Sequence, residues 1–125
     1  MMQSATIFLP WPDRKLSPNA REHWASVAKV KKRAKHDACY ATMDAGVRNI
    51  DAGAITVRVS FYPPDRRPRD IDNCLASMKA AFDGIAQAIG IDDSKWKIEI
   101  NPRGPVEKHG MVKVELEWER KADAA

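Results

Sequence analysis

The densest cluster of chemically capable side chains is Asp65-Arg66-Arg67-Pro68-Arg69-Asp70-Ile71-Asp72-Asn73, with three arginines and three aspartates in nine residues. Arginines in such a loop can clamp phosphate oxygens in bidentate geometry. Asp70 and Asp72, two residues apart, project to the same side of an extended chain. Paired carboxylates suit a hard cation such as Mg²⁺, which takes few protein carboxylates and completes its shell with water and substrate oxygens. Carboxylates for a metal beside arginines for a phosphate backbone are parts of a phosphodiester-cleaving site. Arg66, Arg67, Arg69 and Asn73 are the candidate nucleic-acid contacts there. The structural alternative has Asp72 capping a helix while Asp70 pairs with an arginine. So many arginines together still cost stability unless an anion relieves them.

Further groups follow downstream. On one helix, Asp72, Lys79 and Asp83 at spacings of seven and four would fall within about 40° of one another. A lysine in line with these acids could stabilise charge on a pentacovalent phosphate; otherwise Lys79 and Asp83 are an ordinary helix pair. Asp92-Asp93-Ser94 reads as a turn, or as a second carboxylate group completing a metal site. Upstream, Lys29, Lys31, Lys32, Arg33 and Lys35 crowd one helix. They are read as sequence-independent, salt-sensitive contacts to DNA phosphates, or else as a solvated basic face. His23, His36 and His109 are too scattered for a zinc or triad set and are expected at the surface. Cys39 and Cys74 are expected as small buried residues, and Trp11 and Trp24 in the core.

Elements must position these groups. The apolar run from Thr6 to Leu9, stopped by Pro10-Trp11-Pro12, reads as a strand. Trp24, Val27, Val30, Ala34, Ala38, Ala41 and Ala45 recur at helical spacing across 20–45. Ile55, Val57, Val59 and Phe61 alternate with Thr56, Arg58, Ser60 and Tyr62, as a half-buried strand does. Ile71, Leu75, Met78, Phe82, Ile85 and Ile89 form a stripe along a second helix over 71–89, closed by Gly90. Trp96, Ile98 and Ile100, then Val112, Val114, Leu116 and Trp118, alternate as two more strands. The order β-α-β-α-β-β implies a single α+β domain over 1–120, with a small mixed sheet and two main helices. Residues 121–125 are expected to be a frayed tail.

The 125 residues are 44% hydrophobic and 30% charged, which argues against a disordered or membrane-spanning chain. Residues 1–48 carry 9 Lys/Arg against 4 Asp/Glu, while 49–125 carry 12 against 13, so the net +4 is concentrated in the first third. That asymmetry suggests an anionic partner, with nucleic acid foremost. Residues 1–9 lack a basic stretch followed by a long apolar run, and two cysteines make no disulfide framework. A reduced, cytoplasmic setting is expected.

At these residues the chain resembles the RusA-like Holliday junction resolvase family. The match rests on Leu9-Pro10-Trp11-Pro12, the 65–73 segment, Lys79-Ala80-Ala81-Phe82-Asp83 and Asp92-Asp93, in that order along nearly the whole chain. The resemblance implies a small homodimeric endonuclease of DNA recombination and repair. Such an enzyme requires Mg²⁺, with Mn²⁺ as a substitute, and cuts four-way DNA junctions symmetrically. It also implies that Asp70, Asp72 and Asp93 hold the metal, with Lys79 catalytic beside them. One departure concerns Lys79, which stands six residues after Asn73 where the family's pattern has three. Phage and prophage genomes often encode such proteins. The alternative function is a non-catalytic binder of branched DNA, a degenerate relative; retention of all three aspartates favours the enzyme, because a pure binder gains nothing from acids beside phosphates.

An unbroken helix over 71–89 would be roughly 25–28 Å long. The four residues from its end to Asp93 span at most about 14 Å, so Asp93 could not return to Asp70 and Asp72 of its own chain. Antiparallel packing of two copies through the apolar stripe would place Asp93 of each beside the other's Asp70 and Asp72, giving a site shared between subunits; the alternative is that the stripe packs on the chain's own sheet and Asp93 is only a turn residue.

Overall fold

The alternation from Ile55 to Tyr62 becomes the sheet's central organiser. In the computed structural model, which describes residues 2–120, this strand (β2, Ile55–Tyr62) runs antiparallel to β4 (Met111–Glu119) and parallel to β3 (Trp96–Ile100). The opening strand β1 (Met2–Pro10) adds to the far side of β4, giving the mixed order β1-β4-β2-β3. A parallel pair needs a crossover. Two short helices, α2 (Ile71–Ala76) and α3 (Lys79–Ile89), supply it between β2 and β3. The long helix α1 (Trp24–Asp44) lies against α3. The expected single α+β domain with a small mixed sheet is therefore what forms. The expected tail at 121–125 lies outside the described residues.

The inward positions of the strands meet α3. Val57, Val59, Val112, Val114 and Leu116 are buried with Met78, Phe82, Ile85 and Ile89 in one cluster. Helix α1 contributes little to it, with only Ala38 and Thr42 buried, and leaves its lysines free to face solvent. What locks α1 in place is a close approach. A Cβ on Gly84 of α3 would sit 2.0 Å from the Lys35 carbonyl oxygen, so only glycine lets the two backbones meet there.

Several expectations are corrected. The 71–89 helix is broken at Ser77 and Met78. The Ser77 hydroxyl and amide both donate to the Asn73 carbonyl, and the Met78 amide reaches back only three residues to Leu75. Such serine back-bonding and a tightened turn bend a helix. The stripe is not an exposed seam either. Met78, Phe82, Ile85 and Ile89 are consumed by the chain's own core, leaving Leu75 half-buried and only Ile71 exposed. Trp24, expected in the core, is 77% exposed at the start of α1 and stacks on His23. Trp11 is half-buried, edge-on to Phe61. Cys39 and Cys74 are free thiols, half-buried rather than fully buried. Trp96 alone of its strand is buried; Ile98 and Ile100 are exposed, because β3 is an edge and the helical layer stops short of it.

Candidate functional site

The 65–70 loop is held by its own arginines. Asp65 accepts from the Arg67 amide at 2.9 Å and from Arg69 Nη1 at 2.8 Å. The Arg69 guanidinium foremost, and the Arg67 amide next, hold the Asp65 carboxyl down at about 2. Arg69 also donates to the Asp65 and Arg67 carbonyls and stacks over the Trp11 ring, 5.3 Å from its centroid. From the β3–β4 loop, Arg103 donates to the Arg67 carbonyl at 2.9 Å and to the Asp65 carbonyl at 2.8 Å. Arg69 and Arg103 are thus committed to internal carbonyls, while Arg66 and Arg67 are exposed, Arg67 with a contact of 3.4 Å to Asp65.

Asp70, not Asp72, is the helix cap: its Oδ1 accepts from the Asp72 amide at 2.9 Å. Arg69 pairs with Asp65 rather than with Asp70. Asp72 stands in the first turn of α2, exposed, and among the described residues its carboxylate has no side-chain partner. Asp70 and the half-buried Asn73 line a cavity of about 220 Å³ with Asp13, Arg14, Arg69 and Trp11.

Lys79 begins α3, and its Nζ donates to Asp83 at 3.0 Å and to Asp93. Asp93 first, then Asp83, raise the Lys79 ammonium above the usual lysine range. The break in the helix resolves the length argument. Measured from Lys79, α3 is short enough for the following turn to bring Asp93 back to the residue that opens it. Asp93 is therefore positioned by its own chain. The helical arithmetic that aligned Asp72 with Lys79 and Asp83 also lapses across the break, although Lys79 and Asp83 still share a face of α3. The Ser94 hydroxyl foremost holds the neighbouring Asp92 carboxyl below the usual carboxylate range.

Among the described residues, no three His, Cys, Asp or Glu side chains converge closely enough to hold a metal ion. Asp70 and Asp72 nevertheless suit a hard cation. Both are exposed carboxylates with uncommitted oxygens, and one or two carboxylates suffice for Mg²⁺ when water and phosphate complete the shell. Asp93, held on Lys79, does not join them in this arrangement.

The basic residues Lys29, Lys31, Lys32, Arg33 and Lys35 are all exposed on α1. Lys31, Lys32 and Lys35 line a cleft of about 540 Å³ together with Lys79 and Asp83. Arg33 makes a long contact of 3.9 Å to Asp37. His23, His36 and His109 lie at the surface as expected, with His23 capping α1.

Sequence reasoning missed Arg103 and Asp13. Asp13 follows the Pro-Trp-Pro stop, and only the β1–β4 pairing carries that stop to the α2 corner. Arg103 lies in a loop whose proline and glycine spacing signals irregular backbone and no more.

No protein-family model matches the chain. It is 45% identical over 98 residues to an "Uncharacterized protein" of Xylella fastidiosa, covering 76% of this chain and 63% of that protein. The chain thus spans less than two thirds of that relative's length. It is 27% identical over 128 residues to crossover junction endodeoxyribonuclease RusA of Escherichia coli K12, covering 92% of this chain and 95% of RusA. The chain is thus distantly similar to a Holliday junction resolvase along nearly its whole length. Among solved structures, hydrogenase maturation protein HypE superposes with a TM-score of 0.33 at 15% identity, covering 96% of this chain and 30% of that one; so slight a likeness has no bearing on the fold. No helix among the described residues is long and apolar enough to cross a membrane.

Proposed function

We propose that the protein is a metal-dependent, structure-specific DNA endonuclease that resolves four-way junctions, acting as a cytoplasmic homodimer with Mg²⁺ bound at Asp70 and Asp72. The observation that carries this reading is the α2 corner. Two carboxylates without a cation partner stand there beside Arg66 and Arg67, Asp70 capping α2 and Asp72 free, on a loop that Arg69 and Arg103 brace from within. Distant similarity to RusA along nearly the whole chain supports the same reaction class.

Bound there, Mg²⁺ would supply an activated water and polarise the scissile phosphate. The chain's own residues do the rest. Arg66 and Arg67 pair with non-bridging oxygens of the DNA backbone. The α1 lysines hold the flanking strand and lead it along the cleft to Lys79. The Lys79 ammonium, charged at neutral pH, sits where an approaching phosphate can compete with Asp93 for it. Were the phosphate to take Lys79, Asp93 would be released from its ammonium partner and freed for the carboxylate pair.

Incubation with a synthetic four-way junction, with and without Mg²⁺ or Mn²⁺, tests the proposal. Paired cuts that need the metal support it. Junction binding without cuts leaves the non-catalytic binder, and absence of both defeats the two readings together.

A further inference from the structure

Strand β3 ends the sheet, and one side of it is unpaired. Its register with β2 sets Trp96, Ile98 and Ile100 opposite Ile55, Val57 and Val59, on the face that the helices cover elsewhere. Val57 and Val59 are 0% exposed there, yet Ile98 and Ile100 are 39% and 38% exposed. The exposed Ile71 of α2 lines the same open cavity, of about 430 Å³, as Ile100.

The backbone is equally unfinished. The Asn101 amide bonds the Val59 carbonyl on β2. Strand alternation therefore turns the Lys97 and Glu99 amides toward β2, and those of Ile98 and Ile100 away from it. The Trp96 amide is already taken by the Asp93 carbonyl. Two donors on a flat edge with exposed isoleucines are a template for another strand.

We infer that β3 pairs antiparallel with β3 of a second copy of this chain, about a two-fold axis at Ile98, fusing the two sheets. The charges select this occupant and this register. With Ile98 opposite its own copy, Lys97 falls opposite the second copy's Glu99 and Glu99 opposite its Lys97, while Trp96 meets Ile100 on the apolar face. The Ile98 amides donate to each other's carbonyls, and each Ile100 amide donates to the other copy's Trp96 carbonyl. A parallel pairing in the same alignment would set Lys97 against Lys97 and Glu99 against Glu99, which like-charge repulsion opposes. The other edge, β1, has no charged residue between Met2 and Pro10 to choose a register. Its inward Ile7 and Leu9 are already buried, so pairing there gains less. The inference deepens the proposed reading by giving its homodimer an interface.

Sedimentation of the full chain tests it without DNA. Wild type should dimerise. Lys97→Glu should weaken the dimer by at least about tenfold, since two ion pairs are replaced by like charges. Combining it with Glu99→Lys should restore association. Glu99 also pairs with Arg58 at 3.3 Å, so circular dichroism of each variant separates lost association from lost fold. As a second measure, Ile98→Cys should cross-link to itself under mild oxidation above the background of Cys39 and Cys74, because paired strands hold facing Cα atoms about 5.5 Å apart. A chain monomeric at all concentrations overturns the inference. So does a dimer that ignores Lys97→Glu, or one that only Phe8→Asp on β1 dissolves. A dimer that behaves as described but cuts no junction leaves the interface standing and sinks the nuclease reading. Cutting by a chain whose association ignores the reversal does the opposite.

Discussion

The two halves of the 71–89 segment are held by opposite means. Helix α2 buries none of its residues and depends on the Asp70 cap and the braced loop before it, whereas α3 buries Ala81, Phe82, Gly84, Ile85, Ala88 and Ile89. Their charges differ in the same way. On α2 the carboxylates of Asp70 and Asp72 have no cation on them, because Arg69 and Arg103 are turned to carbonyls, Arg69 and Arg67 pair with Asp65, and Arg66 is exposed. On α3 Lys79 gathers Asp83 and Asp93. A surface that leaves acids unneutralised next to a loop of arginines is poised for a ligand carrying both signs, such as a cation with a phosphate. A surface whose charges are already matched is settled without one. The first half presents its acids free for a ligand, whereas the second holds its charges paired until a phosphate competes for Lys79.

The largest effects should come from α2. Asp70→Asn or Asp72→Asn should lower junction cutting by about a thousandfold or more, the scale of losing a principal electrostatic contributor. Binding should hold or tighten, since negative charge beside phosphates is removed. Asparagine caps helices about as well as aspartate, so Asp70→Asn keeps the fold. Cutting near the wild-type rate in either variant would remove the metal from this corner. Because Asp93 returns to Lys79 of its own chain, a dimer mixed from an Asp72→Asn chain and an Asp93→Asn chain, each inactive alone, should have no intact site and make no nicks. Single-strand nicking by that mixture would restore the shared site that an unbroken helix implied.

The largest effect on stability should come from α3. Gly84→Ala must force the Lys35 carbonyl aside, an overpacking that costs about 2–3 kcal/mol. For a domain of this size that is a fall of roughly 10 °C in Tm. A Tm within a degree or two of wild type would show that α1 is not locked against α3.

This contrast marks where the sequence was legible. The β2 strand and the core side of α3 follow from periodicity, because burial on one face imposes it. The break at Ser77 does not, since Met78 and Phe82 keep the helical spacing across it and only a serine back-bond betrays it. The Asp65–Asn73 cluster stands out by composition. Which of its charges are spent could not be read, because Arg69 is consumed by a turn and Arg103 arrives from a loop over thirty residues away. Trp24 misled by its spacing: it fits the helical stripe but precedes the point where α1 reaches the sheet.

A smaller effect belongs to the basic cleft. Lys31→Ala with Lys32→Ala should weaken binding about tenfold at moderate salt, equally for all sequences. It should also flatten the salt dependence of log K by about two units of slope, one per phosphate contact. An unchanged slope would return that face of α1 to solvent and separate the cleft from Lys79.

The smallest expected effect tests how the loop that presents α2 is braced. The Asp65 carboxyl titrates at about 2, below its ordinary 3.8. A group depressed in the folded state stabilises it fully above the ordinary value, and that contribution drains away as pH falls through the folded one. The Arg69 brace should therefore be intact at neutral pH, weaken from about pH 4 and be lost near pH 2. A carboxyl-resonance titration reads this directly. Asp65 should show its midpoint near 2 in wild type and move toward its ordinary value in Arg69→Gln, because Arg69 is the largest cause of the depression. The cost to stability should be slight, since the pair is open to solvent and screened. Retention of the low midpoint in Arg69→Gln would transfer the brace to the Arg67 amide. The loop before α2 would then be held by its backbone and by Arg103, and α2 would depend on its charged side chains less than the contrast with α3 requires.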